Sequence, residues 1–190
     1  MEQLFDYISK RIELSAEIKD FTQSISTIKK LKKGDILIKE NQIVNKTYFV
    51  MDGCLRSYVF DNFGKEHTLQ FALKNNWISD YIAIFNNEKS SQTVECIANS
   101  TVIETSISEG IDSIFLKFPK IESIHRKNLE RNIVSLQKRI LNQLQLSSLD
   151  RYKYFLKQHP EIEKYALNYH IASYLGITQQ SLSRLRGSIK

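Results

Sequence analysis

Asn168-Tyr169-His170-Ile171-Ala172-Ser173-Tyr174-Leu175-Gly176-Ile177-Thr178-Gln179-Gln180-Ser181-Leu182-Ser183-Arg184-Leu185-Arg186 carries two helical periods interrupted by a single glycine. In a helix ending near Leu175, Ile171, Ala172 and Leu175 share one face, and the small Ala172 lets a second helix approach closely. Gly176 stands just past that end, where an abrupt stop usually needs a positive φ. Thr178 is placed to cap the next helix, in which Leu182 and Leu185 join Ile177 against Ile171 and Leu175. The spacing predicts a helix-turn-helix. Its outward face holds Gln179, Gln180, Ser183 and Arg184, and these side-chain types read base edges in a major groove, glutamine on adenine and arginine on guanine. Thr178, Ser181, Arg186 and Lys190 are the expected phosphate contacts. The competing reading is an ordinary helical hairpin with a polar surface, but the alanine, the glycine and the apolar positions all fit the reading unit together.

Charge points the same way. Residues 151–190 hold seven Lys/Arg against two acids, so five of the chain's six net positive charges lie beside the expected reading helix. A basic end of this kind is the footprint of a protein that meets phosphate, although basic tails by themselves are often only solvated surface. The 190 residues, 42% hydrophobic, suffice for one large or two modest packed domains. No apolar run approaches the ~20 residues of a bilayer span, and the start, Met1-Glu2-Gln3-Leu4-Phe5-Asp6-Tyr7, places acids where a secretion signal has basic residues. A cytoplasmic location without a membrane partner is therefore expected. Cys54 and Cys96 are the only cysteines, each inside an apolar run, so buried thiols are expected and a four-cysteine cluster is excluded by count.

Three segments follow one another. Residues 1 to about 28 place Leu4, Phe5, Ile8, Ile12, Leu14, Ile18 and Phe21 at helical spacing, which predicts one or two short helices. From Leu31 to about Ile107 come short β-rich runs at 36–38, 47–51, 55–60, 67–71, 93–97 and 101–105. Turn-forming clusters separate them: Lys33-Gly34-Asp35, Met51-Asp52-Gly53, Asp61-Asn62-Phe63-Gly64-Lys65 and Ala98-Asn99-Ser100. Many short strands at this spacing predict an antiparallel sandwich or barrel.

After Pro119 the chain runs to about Ser147 without Gly or Pro, with Leu129, Ile133, Leu136 and Ile140 spaced four, three and four apart. This is a seam of coiled-coil type, expected to pair two copies of the chain. The alternative is a long helix that packs only on its own β domain. Ser147 or Ser148 then caps a further helix, Leu149 to about His159, closed by Pro160.

The order of parts resembles the Crp/Fnr family of bacterial transcription regulators over nearly the whole chain. The sharpest matches are Ile171 to Thr178 with Ser181 to Arg186, and the stretch from Gly53-Cys54-Leu55-Arg56 through Gly64-Lys65-Glu66-His67-Thr68-Leu69-Gln70-Phe71-Ala72. The resemblance implies an α+β chain: an N-terminal antiparallel β-barrel of jelly-roll, cyclic-nucleotide-binding-like type (1–118), a long dimerisation helix (119–147) and a C-terminal helix-turn-helix domain (148–190). In nucleotide-binding members a Gly-Glu pair and a following Arg-Ser or Arg-Thr hold the ribose and the cyclic phosphate. That cassette falls here at Ser79, Asp80 and Tyr81 with Lys89, Ser90 and Ser91, the candidate ligand pocket. Ser79-Asp80 replaces the pair, and the nearest cation is Lys89, which lacks the forked geometry that suits a phosphate. Cyclic AMP and cyclic GMP are thus not the expected ligands.

Two cysteines rule out a four-cysteine iron–sulfur site, and no paired-histidine motif supports haem. An enzyme built on such a barrel needs clustered histidines with a carboxylate, yet the barrel offers only His67; His125, His159 and His170 fall on expected helices. No catalytic residue, metal or cofactor is expected, and the sequence names no effector. The expected partners are duplex DNA, a second copy of the chain and RNA polymerase. A regulator gated by a cyclic nucleotide or another small ligand, and a signalling module that does not bind DNA, remain as alternative readings.

Overall fold

Two bulges shape the barrel. In a computed structural model, which describes residues 1–189, the runs at 47–51 and 55–60 are one strand, β3 (Lys46–Phe60), and those at 93–97 and 101–105 are another, β6 (Thr93–Ser106). The clusters expected to separate them bend the strands without ending them: the register between β3 and β6 slips at Val50/Asp52, Asp52/Cys54 and Cys54/Leu55. Gly53 is required at this bend. Its φ is +88°, and a Cβ there would lie 2.2 Å from Ser100 Oγ and 2.6 Å from the Asn99 carbonyl oxygen. Ser100 Oγ accepts from Cys54 N at 3.0 Å and donates to the Ala98 carbonyl at 2.6 Å, so the bulges lock to each other.

Around these two long strands lie β1 (Ser26–Leu31), β2 (Ile36–Ile38), β4 (Glu66–Ala72) and β5 (Trp77–Ile78). The sheet is antiparallel, ordered β1-β6-β3-β4, with β2 also on β6 and β5 on β3. β1 begins at Ser26, inside the segment read as helical; its adjacent Lys29 and Lys30 separate Ile28 from Leu31 and leave no apolar stripe of strand period. The sheet folds over Ile38, Tyr48, Val50, Leu55, Val94, Cys96 and Val102. Cys54 and Cys96 are buried free thiols, and burial pushes both above the ordinary thiol range.

Helices close the two ends. α1 (Glu2–Ser9) and α2 (Ala16–Ser24), the latter capped by Ser15 accepting from Ile18 N, lead into the sheet. Leu4 and Ile8 of α1 pack with Phe49, Ile103 and Ile124. α3 (Tyr81–Asn86) joins β5 to β6, and α4 (Ile111–Lys117) precedes α5 (Pro119–Gln145), which begins on a proline that needs no N–H partner. α6 (Ser148–Gln158) is capped by Ser147 accepting from Asp150 N. After a 3-10 turn at Ile162–Lys164 come α7 (Asn168–Leu175) and α8 (Gln179–Ile189). Among the described residues no helix is long and apolar enough to cross a membrane.

Candidate nucleic-acid interface and sensor cavity

The α7–α8 unit is built as its residues dictate. Gly176 ends α7 with φ +68° and ψ +35°, and Ile177 N donates back to the Ala172 carbonyl at 3.0 Å, closing the helix end. Thr178 Oγ1 accepts from Ser181 N at 3.1 Å and so caps α8. Ile171 and Leu182 are wholly buried with Ala172 and Leu175. Gln179, Gln180, Ser183 and Arg184 are all exposed at the start and outer side of α8.

The expected phosphate set divides. Arg186 turns inward: its guanidinium lies 2.6 Å from Glu163 Oε1, donates to Tyr152 Oη at 3.1 Å and also bonds Asn168. It ties the reading unit together and is corrected from a phosphate contact to an internal strut. Thr178 and Ser181 stay near the N-terminus of α8, with Ser181 half-buried, while Lys190 lies outside the described residues.

One contact leaves no mark in the sequence. α7 is docked on the sheet: Ser173 Oγ donates to the Glu66 carbonyl and accepts from Thr68 N, both at 2.8 Å, bridging backbone groups of β4. Beside it Arg56, 1% exposed, donates from Nε to Glu95 at 2.8 Å, lies 2.6 Å from Glu66 Oε2, and stacks on Tyr58 at 4.2 Å. Tyr169 and His170 of α7 complete the cluster, with Tyr169 5.7 Å from the guanidinium and His170 Nε2 3.8 Å from Glu95. Arg139 of α5 donates to the Leu69 carbonyl at 2.7 Å and lies 4.9 Å from the Tyr174 ring. Phe71, Cys54 and Ile97 of the sheet share one core with Phe155, Ile171 and Leu182. No periodic signal marks such a contact in the sequence; the isolated apolar-run arginine, Arg56, was the only available hint.

A cavity of about 880 Å³ lies between the sheet and α5, bordered by Ser57, Gln70, Gln92, Asn128 and Asn132. Of the six expected ligand residues, Ser79 and Tyr81 line it. Ser79 Oγ is itself committed, donating to the Lys46 carbonyl at 2.7 Å. Asp80 is wholly buried and turned into the protein. Its Oδ1 accepts from Ile82 N at 3.0 Å and Ala83 N at 3.1 Å; its Oδ2 accepts from Ser90 Oγ at 2.8 Å and Ser91 N at 3.0 Å. Burial alone would raise this carboxyl, but the bonds from Ser90, Ala83, Ser91 and Gln92 prevail and hold it below the ordinary aspartate value. Asp80 and Ser90 are therefore corrected from ligand contacts to a closed internal link, and the exposed Lys89 and Ser91 do not border the cavity. Among the described residues no cluster of three metal-ligating side chains occurs.

On α5, Ile133, Leu136 and Ile140 are about half-exposed, and the stripe continues through Leu144, 78% exposed, with Val134 and Leu141 beside it. Leu129 is partly buried and borders the 880 Å³ cavity.

Residues 28–109 match the model of the cyclic nucleotide-binding domain. A chain from Eubacterium rectale assigned to the Crp/Fnr family of transcriptional regulators superposes with a TM-score of 0.73 at 18% identity, covering 91% of this chain and 82% of that one. The chain has the Crp/Fnr architecture. A mutant of CooA from Carboxydothermus hydrogenoformans shares it, with a TM-score of 0.65 at 20% identity over 95% of this chain and 81% of that one. So does CLP, a c-di-GMP-responsive global regulator from Xanthomonas campestris, with a TM-score of 0.69 at 11% identity over 92% and 91%. Among curated sequences, the Anaerobic regulatory protein of Pasteurella multocida is 22% identical over 185 residues, 92% of this chain and 67% of that protein. The Crp/Fnr architecture accounts for the sequential sheet, long helix and helix-turn-helix.

Proposed function

We propose that this chain is a sequence-specific DNA-binding transcription regulator of Crp/Fnr type, acting as a cytoplasmic homodimer and not as an enzyme. The observation that carries the reading is α8: a buried apolar side seated on α7 and an exposed side presenting Gln179, Gln180, Ser183 and Arg184 together. Those groups suit base edges, with Thr178 and Ser181 close to phosphate at the helix start. Two copies would pair through Ile133, Leu136 and Ile140 of α5, an apolar stripe that a monomer leaves in water. Leu129, one turn earlier and partly buried, would complete that seam; like Ile133 and Leu136 it also borders the 880 Å³ cavity. The operator would be an inverted repeat with half-site centres about 34 Å apart. RNA polymerase is the natural further partner of such a regulator. Genome-wide mapping of bound sites tests the reading: a recovered inverted repeat supports it, and binding without sequence preference would refute it.

The same reading holds that cyclic AMP does not switch the protein. The donors that an incoming anion would need, Ser90 Oγ, Ser91 N and the first N–H groups of α3, are already spent on the Asp80 carboxylate. A cyclic phosphate seated at that carboxylate would be desolvated beside a negative charge, and the cassette itself brings no forked cation to offset it, since Arg11, Arg131 and Arg139 belong to other elements of the cavity wall. Calorimetry should detect no micromolar binding of cyclic AMP or cyclic GMP; binding at that level with raised operator affinity would overturn the point. The 880 Å³ cavity, lined by amides and hydroxyls and also by Arg11, Arg131, Arg139, Lys10 and Lys74, favours a second reading in which a different small ligand gates the regulator.

A further inference from the structure

Where α1, α2, α4 and α5 meet the end of the sheet, a smaller cavity of about 100 Å³ remains unfilled by side chains. Its walls are mostly apolar and aromatic, including Phe21, Trp77, Phe115 and Ile124, with Thr22, Thr47, Thr105 and Asn128 as uncharged polar neighbours, and no Asp, Glu, Lys or Arg borders it. Two polar atoms are out of place there. His125 Nε2 and Trp77 Nε1 belong to residues that line the cavity, both are buried, and neither has a hydrogen-bond partner. An unpaired buried polar group is costly, and such groups are rarely left so without a reason. The imidazole is held on three sides by aromatic rings: Phe115 at 5.3 Å, Tyr81 at 5.6 Å and Phe85 at 5.8 Å. Burial lowers the His125 pKa to about 4, so the ring is neutral at physiological pH and can accept a proton in a hydrogen bond.

We propose that this cavity is a binding site for a small, uncharged ring molecule bearing one hydroxyl or carbonyl oxygen, recognised by His125 and Trp77. The lining excludes ions, since a charge placed among these walls would find no counter-charge. Size limits the occupant to one small ring at most: an apolar cavity of about 150 Å³ takes up benzene, and this one, at about 100 Å³, has to give slightly to seat it. Chemistry selects the oxygen, because indole N–H can only donate whereas a neutral imidazole can accept; a hydroxyl serves either. The site adjoins the 880 Å³ cavity, with which it shares Trp77, Tyr81 and Asn128, but centres on His125, which the larger cavity does not touch, and goes beyond the DNA-binding reading. Its occupant bears on Ile121, Ile124 and His125 of α5, the helix that leads to the α7–α8 unit.

The test is a titration of the full chain with phenol and, in parallel, with benzene, following isotope-labelled histidine resonances and the melting temperature. Phenol is expected to shift the His125 ring signals and raise the melting temperature, with benzene binding roughly tenfold more weakly, the worth of about one hydrogen bond. His125→Leu should bring phenol down to the level of benzene. Ile114→Phe, which fills the cavity and leaves the imidazole in place, should abolish the His125 shift; it serves also where His125→Leu fails to fold. A wild-type titration in which neither compound moves His125 would overturn the proposal. So would a shift confined to His159, which borders the larger cavity, or equal binding of phenol and benzene.

Discussion

Asp80 shows how one side chain redefines a site. A carboxylate at the first turn of a short helix reads in sequence as a possible ribose contact. In the fold it caps α3 and clamps the Ser90–Ser91 turn, four bonds from one group. Asp80→Ala should cost ~1–3 kcal/mol, from the lost cap and from buried donors left unpaired, measurable by denaturant melts. The pH dependence has a defined sign: because the folded carboxyl lies below its unfolded value of ~3.9, its stabilisation is full above that value and is lost as pH falls through the folded one. Arg184 makes the complementary case on the surface. On the proposed DNA-binding reading, Arg184→Ala should lower specific operator affinity by ~1–3 kcal/mol and relax preference at one base pair per half-site, because the bidentate guanine contact proposed for it would be lost. Equal loss on specific and random duplexes, in binding titrations, would make it a phosphate contact instead.

Elements were legible where a local rule acts on neighbours in sequence. α5, α6, α7 and α8 follow from spacing, caps and one glycine, each within a few residues of its expected bounds. β3 and β6 were not, because a turn and a bulge use the same residues: Asp52-Gly53 and Asn99-Ser100 become bulges only because each strand finds the other across the sheet. The α5 stripe belongs to this scale too. Ile133→Asp with Leu136→Asp should yield a monomer by sedimentation, since charge in an apolar seam is desolvated without a partner. A dimer that persists would move the interface elsewhere. Fold stability of the monomer should change little, because both residues are about half-exposed in a single copy.

Across the whole molecule, the docking of α7 on β4 joins the β domain and the α7–α8 unit into one packed body. His170 is the sensitive point. It is buried against Arg56 of β3, Glu95 of β6, Tyr169 of its own helix and the field of Lys33. Burial first, then Arg56 and Lys33, lower its pKa to about 3. The unfolded imidazole takes up a proton near pH ~6.5 while the folded one stays neutral, so between these values stability falls as pH falls. His125 and Asp80 pull in the same direction. His170→Phe should therefore flatten, without abolishing, the loss of stability between about pH 6.5 and pH 3. An unchanged slope in denaturant midpoints across that range would show that His170 is not the group responsible.

The amino-acid sequence by itself determined the helix-turn-helix, the long helix with its apolar seam and the β character of the sensor. Each rests on interactions between residues a turn or a strand apart, and these leave a period, a cap or a glycine to be read. Only the tertiary structure decided that Asp80 closes the cassette, that Arg186 braces Glu163, that Arg56 and Ser173 hold the reading head to the sheet, and that two expected turns are bulges. These partners stand 10 to 107 residues apart in the chain. Their pairing costs desolvation that only a particular burial can offset, so the choice between a ligand contact and an internal bond was made by which side chains the fold brought within hydrogen-bond distance.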